Sequence, residues 1–178
     1  MFVDRDGTLN PDLHYLAEPQ RLELFHGVGL GVRLLREHGY RVICVTNQSG
    51  VSRGFYTDEV VGRIHARVNE LLAPQGARID AFYYCPHAPG DGCRCRKPGT
   101  GLFELAEKDL NIGLAGSAII GDRPLDILAG ESMGLLTAAV PARGRDSGFQ
   151  IEAKAQGARP DLVAPSFLAA ALRILLRG

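Results

Sequence analysis

Residues 41–49 read Arg-Val-Ile-Cys-Val-Thr-Asn-Gln-Ser, and this stretch indicates the fold class. Its first six residues are largely apolar and β-branched, which is typical of a strand buried inside a parallel sheet. Residues 27–38 before it have apolar side chains at helical spacing, and Gly39 stands where that helix would stop. The segment therefore predicts a helix, then a buried strand, then a polar turn.

The same alternation continues on both sides of this stretch. Thr57 is placed to cap a helix whose apolar stripe runs from Val60 to Leu72, before Pro74 ends it. Further strands are predicted at residues 2–3, 81–84, 117–121, 135–140 and 161–163, and further helices at residues 102–109, 125–133 and 165–176. Alternating strands and helices predict an α/β fold, a Rossmann-like three-layer sandwich with a mostly parallel sheet.

Length and composition limit the classes of protein that fit. The chain has 178 residues, 46% hydrophobic and 22% charged, so we expect a single domain over residues 1–178. No stretch is long enough to form a large cap domain, so we expect three shorter segments to wall any ligand pocket, namely residues 12–25, residues 50–56 and the cysteine-containing loop at residues 85–98. The 20 basic residues balance the 20 acidic ones, which argues against nucleic acid or a membrane as a partner. No signal peptide or membrane span is recognisable, so we expect a cytoplasmic protein, with a monomer as the default.

Polar residues follow three of the predicted strands. Asp4 and Asp6 come after the first strand, and residues 46–49 come after the strand quoted above. Asp122 comes after the strand predicted at residues 117–121. Ligands bind at the carboxyl ends of the strands in open parallel sheets. We therefore expect these polar residues to meet at one edge of the sheet.

The acidic residues suit phosphate chemistry. Carboxylates from Asp4, Asp6 and Asp122 would form an oxygen-rich site for Mg²⁺, which in proteins usually also binds a substrate phosphate. One carboxylate could attack phosphorus, and another could exchange a proton with the leaving oxygen and with water. Thr46 and Lys97 offer a hydroxyl group and a positive charge to the phosphoryl oxygens. Taken singly, each of these residues also fits a turn cap or a solvated side chain.

Two more residues near these positions have polar side chains. Asn47 offers an amide to a phosphoryl oxygen, although a plain loop cap explains it equally well. Asp126, four residues after Asp122, is placed either to cap the following helix or to hold Lys97 in position.

A loop at residues 85–98 contains a compact set of metal-ligand residue types. The spacing is Cys-x-His, five residues, then Cys-x-Cys, and the candidate ligands are Cys85, His87, Cys93 and Cys95. Three thiolates and one imidazole make a closed tetrahedral Zn²⁺ site, which indicates a structural role. The alternative is a chance cysteine pair beside a surface histidine. Cys44 lies in an apolar strand and is expected to be a buried, inert thiol.

Four motifs, taken in order, resemble those of the haloacid dehalogenase-like phosphatase superfamily. They are Asp-x-Asp-Gly-Thr at residues 4–8, the strand-end Thr46, Lys97, and Gly-Asp-x-x-x-Asp at residues 121–126. The set is much more specific than any one of its parts.

The resemblance implies a role for each matching residue. Asp4 would be the nucleophile and Asp6 the general acid/base. Thr46 and Lys97 would stabilise the phosphoryl group. Mg²⁺ would be bound by Asp4, by the backbone carbonyl of Asp6 and by Asp122.

Residues 46–54, residues 93–98 and the zinc loop are similar to one branch of the superfamily, which contains heptose-bisphosphate phosphatases and histidinol-phosphatases. This similarity implies a set of substrate-binding residues in the segment after the first motif, in the turn after the second strand, and beside Lys97 and Asp122. The corresponding residues are Asp12, Leu13, His14, Tyr15, Asn47, Gln48, Ser49, Arg53, Arg96 and Arg123.

The activity implied is Mg²⁺-dependent hydrolysis of the 7-phosphate of D-glycero-D-manno-heptose 1,7-bisphosphate through an aspartyl-phosphate, in a lipopolysaccharide pathway. Histidinol phosphate is the alternative substrate. Arg96 and the turn at residues 48–53 favour a substrate with a second anionic group. A non-catalytic zinc-loop module would explain the cysteines, but it would leave the three strand-end acids unexplained.

Overall fold

The computed structural model describes residues 1–141 and 146–177. Within these ranges six strands alternate with six helices. The strands are β1 (Phe2–Val3), β2 (Ile43–Asn47), β3 (Ala81–Cys85), β4 (Ala118–Gly121), β5 (Leu136–Ala139) and β6 (Leu162–Val163). The helices are α1 (Val28–Glu37), α2 (Asp58–Leu72), α3 (Gly101–Leu110), α4 (Pro124–Ser132), α5 (Asp146–Gln156) and α6 (Phe167–Leu175).

The strands form one sheet in the order β3-β2-β1-β4-β5-β6, and every pairing is parallel. This confirms the predicted Rossmann-like α/β class. It also places the short β1 at the centre, where Phe2 pairs with Ile43 on one side and with Ile119 on the other. The strand order reverses direction between β1 and β4, and open α/β sheets bind ligands at such a switch point.

The two sides of the sheet carry separate apolar clusters, because side chains alternate between faces along a strand. Phe2 and Ile119 face the cluster that contains the buried residues of α3, whereas Val3 and Ile120 face the cluster packed under α1, α2 and α6. A third, smaller cluster joins α4 to α5. The central strands are therefore covered on both faces, which explains their continuous apolar sequences.

Most predicted element boundaries agree with the structure to within two residues. Thr57 caps α2 as expected, since its side chain accepts a hydrogen bond from the backbone N–H of Val60. Helix α5 was not predicted, and only Phe149 and Ala153 of its described side chains are buried. An apolar stripe this narrow gives little sequence signal.

Within residues 1–141 and 146–177, no insertion of cap-domain size interrupts the alternation of strands and helices. No helix in the described part of the chain has the length and apolarity needed to cross a membrane.

Candidate active site

The three strands that end in polar residues are neighbours at the centre of the sheet. β1 lies between β2 and β4, so Asp4, Thr46 and Asp122 emerge side by side at the carboxyl edge. The sequence-based expectation that distant polar residues meet at one edge is therefore met by the topology. Asp4 is held in line by a hydrogen bond from its backbone N–H to the carbonyl oxygen of Ile120.

Three carboxylates and one lysine form the centre of this edge. Carboxylate oxygens of Asp4, Asp122 and Asp126, here called the acidic cluster, lie within 4.8 Å of one another, and all three residues are buried. Nζ of Lys97 donates to Oδ1 of Asp4 at 2.6 Å, contacts Oδ1 of Asp126 at 2.6 Å and donates to the carbonyl oxygen of Val45 at 2.7 Å. The three N–H groups of this ammonium are thus matched by three acceptors.

Burial and mutual repulsion make the ionised form of the cluster unfavourable. Burial raises the pKa of Asp4 to about 7, with Lys97 opposing the shift and Asp126 adding to it. Burial, then repulsion from Asp4 and Asp126, raises the pKa of Asp122 to about 8. One lysine does not neutralise three carboxylates, so the fully ionised cluster carries an excess of two negative charges. A hard divalent cation with oxygen ligands fits this donor set.

Asp126 has both of the functions that the sequence left as alternatives. Its Oδ2 accepts a hydrogen bond of 3.0 Å from the backbone N–H of Arg123 at the start of α4, and its Oδ1 contacts Lys97. It therefore caps α4 and, at the same time, holds the ammonium group of Lys97 in place. It is also a third carboxylate of the cluster, a position that the sequence analysis did not assign to it.

Gly7 lets the first loop approach the acidic cluster. It has a φ of +88°, and a Cβ atom placed on it would fall 2.2 Å from a carboxylate oxygen of Asp122. A side chain at this position would therefore displace a proposed metal ligand. Thr8, the next residue, donates a long hydrogen bond of 3.4 Å to Oδ1 of Asp122.

The carboxylate of Asp6 is not part of the acidic cluster and accepts hydrogen bonds from four donor groups. Its Oδ1 accepts from Nε of Arg5 at 3.1 Å and from Nδ2 of Asn10 at 2.9 Å. Its Oδ2 accepts from Nη2 of Arg5 at 2.7 Å and from Nε2 of Gln48 at 2.8 Å. Burial alone would raise the pKa of Asp6, but Arg5 and these hydrogen bonds hold it below the ordinary value. The carboxylate is thus ionised and fully engaged in this conformation.

The polar turn after β2 is mostly occupied by hydrogen bonds within the protein. The hydroxyl group of Thr46 accepts from Nε2 of Gln48 at 2.9 Å, which leaves its own proton to donate to a phosphoryl oxygen. The amide of Asn47 accepts from the backbone N–H of Lys97 at 3.0 Å and donates to the carbonyl oxygen of Lys97 at 3.2 Å. The side chain of Asn47 is therefore committed to placing Lys97. The carbonyl oxygen of Ser49 accepts from the hydroxyl of Ser52.

The segment at residues 12–15 lies at the exposed mouth of the site. Leu13 and Tyr15 are each 41% exposed, and the ring of Tyr15 contacts that of Phe55 with centroids 4.4 Å apart. His14 has a φ of 61°, stabilised by a hydrogen bond from its N–H to the carboxylate of Asp12. The guanidinium of Arg53 lies 6.0 Å above the Tyr15 ring. The segment and the turn after β2 thus meet through aromatic contact.

Arg123 and Asp12 join this segment to the start of α4. Nη2 of Arg123 donates to Oδ2 of Asp12 at 3.0 Å, and Nε of Arg123 lies 3.5 Å from Oδ2 of Asp122. A cavity of about 610 Å³ opens beside them. Its lining includes Asp12, His14, Asp122 and Arg123 together with apolar side chains of Phe25, Val140 and Phe167.

The position of this cavity differs from the sequence-based expectation. The zinc loop and the turn at residues 50–56 were expected to wall the pocket, along with residues 12–25. Of these segments, only residues 12–25 contribute to the described lining, and the start of α6 supplies the opposite wall. The contribution of α6 depends on packing between distant segments, and no local pattern in its sequence indicates it.

The second group of metal-ligand residues lies in the loop after β3. Sulfur atoms of Cys85, Cys93 and Cys95 and Nδ1 of His87, here called the cysteine cluster, lie within 4.8 Å of one another. The measured contacts among them run from 3.2 to 3.6 Å. The edges of a tetrahedron of thiolates around Zn²⁺ are about 3.7 Å long. The four ligand atoms are thus close enough together to bind one metal ion, and the cysteines are free rather than disulfide-bonded.

Arg96 and Lys97 follow the last cysteine directly and link the two clusters. Nη1 of Arg96 donates to the carbonyl oxygen of His87 at 3.2 Å, so this arginine folds back over the cysteine loop. Lys97 reaches the acidic cluster and is only 2% exposed. The position of the cysteine loop therefore determines where the backbone of Lys97 lies.

Two residues of the site carried no recognisable signal in the sequence. Arg5 is 1% exposed and forms a two-point ion pair with the carboxylate of Asp6. Tyr56 donates from its hydroxyl to Oε1 of Gln48 at 2.7 Å. Arginine is almost never fully buried without a partner, and Asp6 is the partner of Arg5, but neither the burial nor the pairing can be read from the sequence.

Two family models match parts of this chain, and several known proteins are similar to it in sequence. A HAD-hydrolase-like model matches residues 94–170, and a polynucleotide kinase 3 phosphatase model matches residues 20–125. Among curated proteins, the chain is 38% identical over 162 residues to D-glycero-beta-D-manno-heptose-1,7-bisphosphate 7-phosphatase of Haemophilus ducreyi. The alignment covers 87% of this chain and 89% of that protein. A probable enzyme of the same name from Thermoplasma acidophilum is 42% identical over 69% of this chain and 77% of its own length.

A solved structure agrees with these relatives. The chain resembles the D,D-heptose 1.7-bisphosphate phosphatase of B. bronchiseptica, complexed with magnesium and phosphate, with a TM-score of 0.86 and 30% identity. The likeness covers 100% of this chain and 98% of that one. This confirms the superfamily resemblance inferred from the motifs. The chain belongs to the D-glycero-β-D-manno-heptose-1,7-bisphosphate 7-phosphatase family of the HAD-like hydrolases.

Proposed function

We propose that this protein is a Mg²⁺-dependent phosphatase that removes the 7-phosphate of D-glycero-D-manno-heptose 1,7-bisphosphate. The single observation that carries the proposal is the meeting of Asp4, Asp122 and Asp126 around Lys97 at the switch point of the sheet. The similar proteins named above support the choice of substrate. Residues 1–178 would act as one catalytic domain.

Mg²⁺ would be held by the carboxylates of Asp4 and Asp122 and by the backbone carbonyl of Asp6. The excess negative charge and the raised pKa of Asp122 are the features of the chain that fit such a cation. When bound, the ion offsets repulsion between these carboxylates and the incoming phosphate.

Asp4 is the nucleophile in the mechanism that we propose. Nζ of Lys97 donates to Oδ1 of Asp4 at 2.6 Å, so the other carboxylate oxygen would be the one that attacks phosphorus. That oxygen forms a bond to phosphorus while the bond to the ester oxygen of the sugar breaks. Asp6, which is ionised in this conformation, first takes up a proton from water as it gives up one of its hydrogen bonds. It then gives this proton to the leaving oxygen, and the product is an aspartyl-phosphate on Asp4.

Hydrolysis of this intermediate returns the enzyme to its starting state. Asp6, now a carboxylate, takes a proton from water as the water oxygen attacks phosphorus. The bond between Asp4 and phosphorus then breaks, and phosphate leaves. For both steps Asp6 exchanges one of its four hydrogen bonds for a bond to the reacting oxygen, while Thr46 donates to a phosphoryl oxygen.

The substrate-binding residues remain part of this proposal. Arg123 would exchange Asp12 for the sugar phosphate, because this ion pair is partly exposed at the mouth of the site. Arg53 and Arg96 would meet the second anionic group, with Ser49, Leu13, His14 and Tyr15 completing the wall. The side chains of Asn47 and Gln48 are engaged within the protein, so they would act on substrate through Lys97 and Asp6.

We further propose that the cysteine cluster binds Zn²⁺ in a structural role. Four ligands in a tetrahedral arrangement leave no open position for a substrate or water. The ion would order residues 85–98 and, through them, the backbone of Lys97. The protein would be a cytoplasmic enzyme of heptose supply for lipopolysaccharide, without nucleic acid or membrane partners and monomeric by default.

The deciding experiment compares phosphate release from heptose bisphosphate and from histidinol phosphate, with Mg²⁺ present. We expect kcat/KM to favour heptose bisphosphate by at least about tenfold, or about 1.4 kcal/mol. A tenfold preference for histidinol phosphate would overturn the assignment of the substrate. If phosphate were released neither from these two substrates nor from a wider panel of sugar phosphates, the proposed phosphatase activity itself would be wrong.

A further inference from the structure

We infer that Gln48 and Tyr56 are positioning residues that orient the acid/base Asp6, and that neither is a substrate contact. This inference rests on the proposed function, in which Asp6 protonates the leaving oxygen. It revises the role implied for Gln48 by the family resemblance, and it gives Tyr56 a role that the sequence did not indicate.

The inference starts from a chain of hydrogen bonds. The hydroxyl of Tyr56 donates to Oε1 of Gln48 at 2.7 Å. Nε2 of Gln48 in turn donates to Oδ2 of Asp6 at 2.8 Å and to Oγ1 of Thr46 at 2.9 Å. Gln48 is 2% exposed and Thr46 is 1% exposed, so these bonds lie out of competition with water.

The carboxylate of Asp6, which can only accept, and the hydroxyl of Tyr56 together determine which way the amide of Gln48 points. A tyrosine hydroxyl can donate to Oε1, which places the two N–H groups of the amide towards Asp6 and Thr46. The reversed amide would bring Oε1 against the carboxylate oxygen of Asp6, where two acceptors repel each other. Without the hydroxyl, a buried Oε1 would lack this donor, and the preference for the productive orientation would weaken.

Tyr56 is itself fixed by close packing. It is 8% exposed, and a Cβ atom placed on Gly50 would fall 2.3 Å from Cζ of the tyrosine ring. The absence of a side chain at Gly50 therefore creates the space for this ring. The backbone N–H of Phe55 also donates to the carbonyl oxygen of Gly50 at 2.9 Å, which closes the turn behind the ring.

The other donors to Asp6 explain why Gln48 matters. Arg5 and Asn10 belong to the same loop as Asp6, so they orient the carboxylate only within that loop. Gln48 comes from the end of β2 and ties the carboxylate to Thr46. It therefore sets the distance between the proton donor and the side chain that we place on the phosphoryl group.

A substrate contact and a positioning residue predict different kinetics. Both N–H groups of the Gln48 amide are used inside the protein, which leaves no donor for a sugar or phosphate oxygen. Loss of a substrate contact raises KM. Loss of positioning lowers kcat, and it does so most for leaving groups that need a proton.

The test compares Tyr56→Phe and Gln48→Met with Tyr84→Phe as the matched control. Tyr84 also donates a 2.7 Å hydrogen bond from its hydroxyl, to Asp58, but at the exposed side of β3 and α2. Each variant is assayed with the sugar phosphate, whose alkoxide must be protonated, and with p-nitrophenyl phosphate, whose leaving group needs no proton. Thermal unfolding checks that each variant is folded.

We expect Tyr56→Phe to lower kcat on the sugar phosphate about fivefold to tenfold, with KM changed less than about twofold. Gln48→Met should lower kcat by about a hundredfold. In kcat/KM, which reports only the steps up to departure of the leaving group, both variants should affect p-nitrophenyl phosphate much less than the sugar phosphate. Tyr84→Phe should match the wild type on both substrates. Because Tyr56→Phe is mild, it carries the test even if Gln48→Met does not fold.

Three results would overturn the inference. They are an unchanged kcat in Tyr56→Phe, a raised KM with an unchanged kcat in Gln48→Met, and an equal loss of kcat/KM on both substrates. Asp4→Asn in the same assay separates this outcome from failure of the proposed function. If Asp4→Asn is inactive while Tyr56→Phe is normal, the positioning role alone is wrong, whereas activity in Asp4→Asn overturns the proposed function.

Discussion

The acidic cluster and the cysteine cluster are both groups of ligand atoms within 4.8 Å of one another, but the chain builds them differently. The cysteine cluster comes from eleven consecutive positions, Cys85 to Cys95, and three of its four residues are only partly buried. The acidic cluster joins Asp4 to residues more than a hundred positions away, and every member is buried.

This difference teaches how each site obtains its precision. The positions of the acids are set by neighbouring strands of one sheet, so the acidic cluster stays in place without an ion and stores repulsion that a cation relieves. The cysteine loop is not held by neighbouring strands, so an ion bound to its four candidate ligands would be the main interaction that fixes its conformation. Removing one ligand should therefore damage chemistry in the first cluster and structure in the second.

Asp4→Asn tests the acidic side of this contrast and has the largest expected effect. The amide cannot attack phosphorus, so kcat should fall by about 10⁴-fold or more. The metal-free variant should be at least as stable as the wild type, since an unfavourable buried charge is removed. Phosphate release and thermal unfolding measure the two effects.

Asp58→Asn is the control for this change, because it removes a surface carboxylate whose recorded contact is with Tyr84. It should retain full activity. An Asp4→Asn enzyme with activity within tenfold of the wild type would contradict the nucleophile assignment.

The stored repulsion predicts a pH-dependent effect of Mg²⁺ on stability. The pKa of Asp4 is raised to about 7 and that of Asp122 to about 8, above their values in the unfolded chain. Raised carboxyl pKa values stabilise the metal-free fold below the unfolded pKa, and this contribution is lost as pH rises through the folded pKa. The free energy of unfolding of the metal-free protein should therefore fall as the pH rises from about 4 to about 8.

Mg²⁺ should restore this stability, because it binds the ionised carboxylates. Thermal unfolding with and without Mg²⁺ at about pH 5 and about pH 8 measures the effect, and the shift should be larger at the higher pH. An equal or larger shift at the lower pH would mean that the cluster is not the metal site. Asp4→Asn should reduce the difference between the two pH values.

Cys95→Ser tests the opposite side of the contrast. Loss of one zinc ligand should lower the stability by about 2 kcal/mol and the melting temperature by about 4–8 °C. Bound zinc, measured by elemental analysis, should fall well below one per chain. Activity should fall only through displacement of Lys97.

Cys44→Ala provides the matched control for this variant. It also removes a thiol, but from inside β2, so it should lose some stability and keep its zinc. Purified wild-type protein without zinc, or zinc retained in Cys95→Ser, would contradict a four-ligand site.

The same contrast explains what the sequence could predict. The cysteine cluster is visible because its four ligands share one short loop. Asp4 and Asp122 could be brought together because each follows an apolar strand, and parallel strands end at one edge. These inferences need only the direction of the chain and the topology of the sheet.

Contacts that depend on a particular side-chain rotamer were not predictable. The bond from Gln48 to Asp6 and the buried ion pair of Arg5 with Asp6 require the path of the first loop to be known. The third carboxylate, Asp126, was recognised as a cap, but its distance to Asp4 depends on how α4 begins. The large cavity depends on α6, whose start is distant in sequence from the rest of its lining.

Asn47→Ala should have the smallest effect, and it tests whether the two clusters are coupled. The amide of Asn47 binds both the N–H and the carbonyl oxygen of Lys97, the residue that leaves the cysteine loop and enters the acidic cluster. Loss of this clamp should lower kcat about tenfold, equal to about 1.4 kcal/mol, while the zinc content stays at the wild-type level.

Asn69→Ala is a close structural match for this change. Asn69 binds the N–H and the carbonyl oxygen of Ile79 at 2.8 and 3.1 Å, an equivalent clamp far from the acidic cluster. Both variants should lose about 1–2 kcal/mol of stability, but only Asn47→Ala should lose activity. Equal activity in the two variants would mean that Lys97 is placed by the acidic cluster alone. Lys97 is bound at both ends, by the clamp at its backbone and by carboxylates at its ammonium group, so we expect loss of the clamp to slow the reaction as well as to lower the stability.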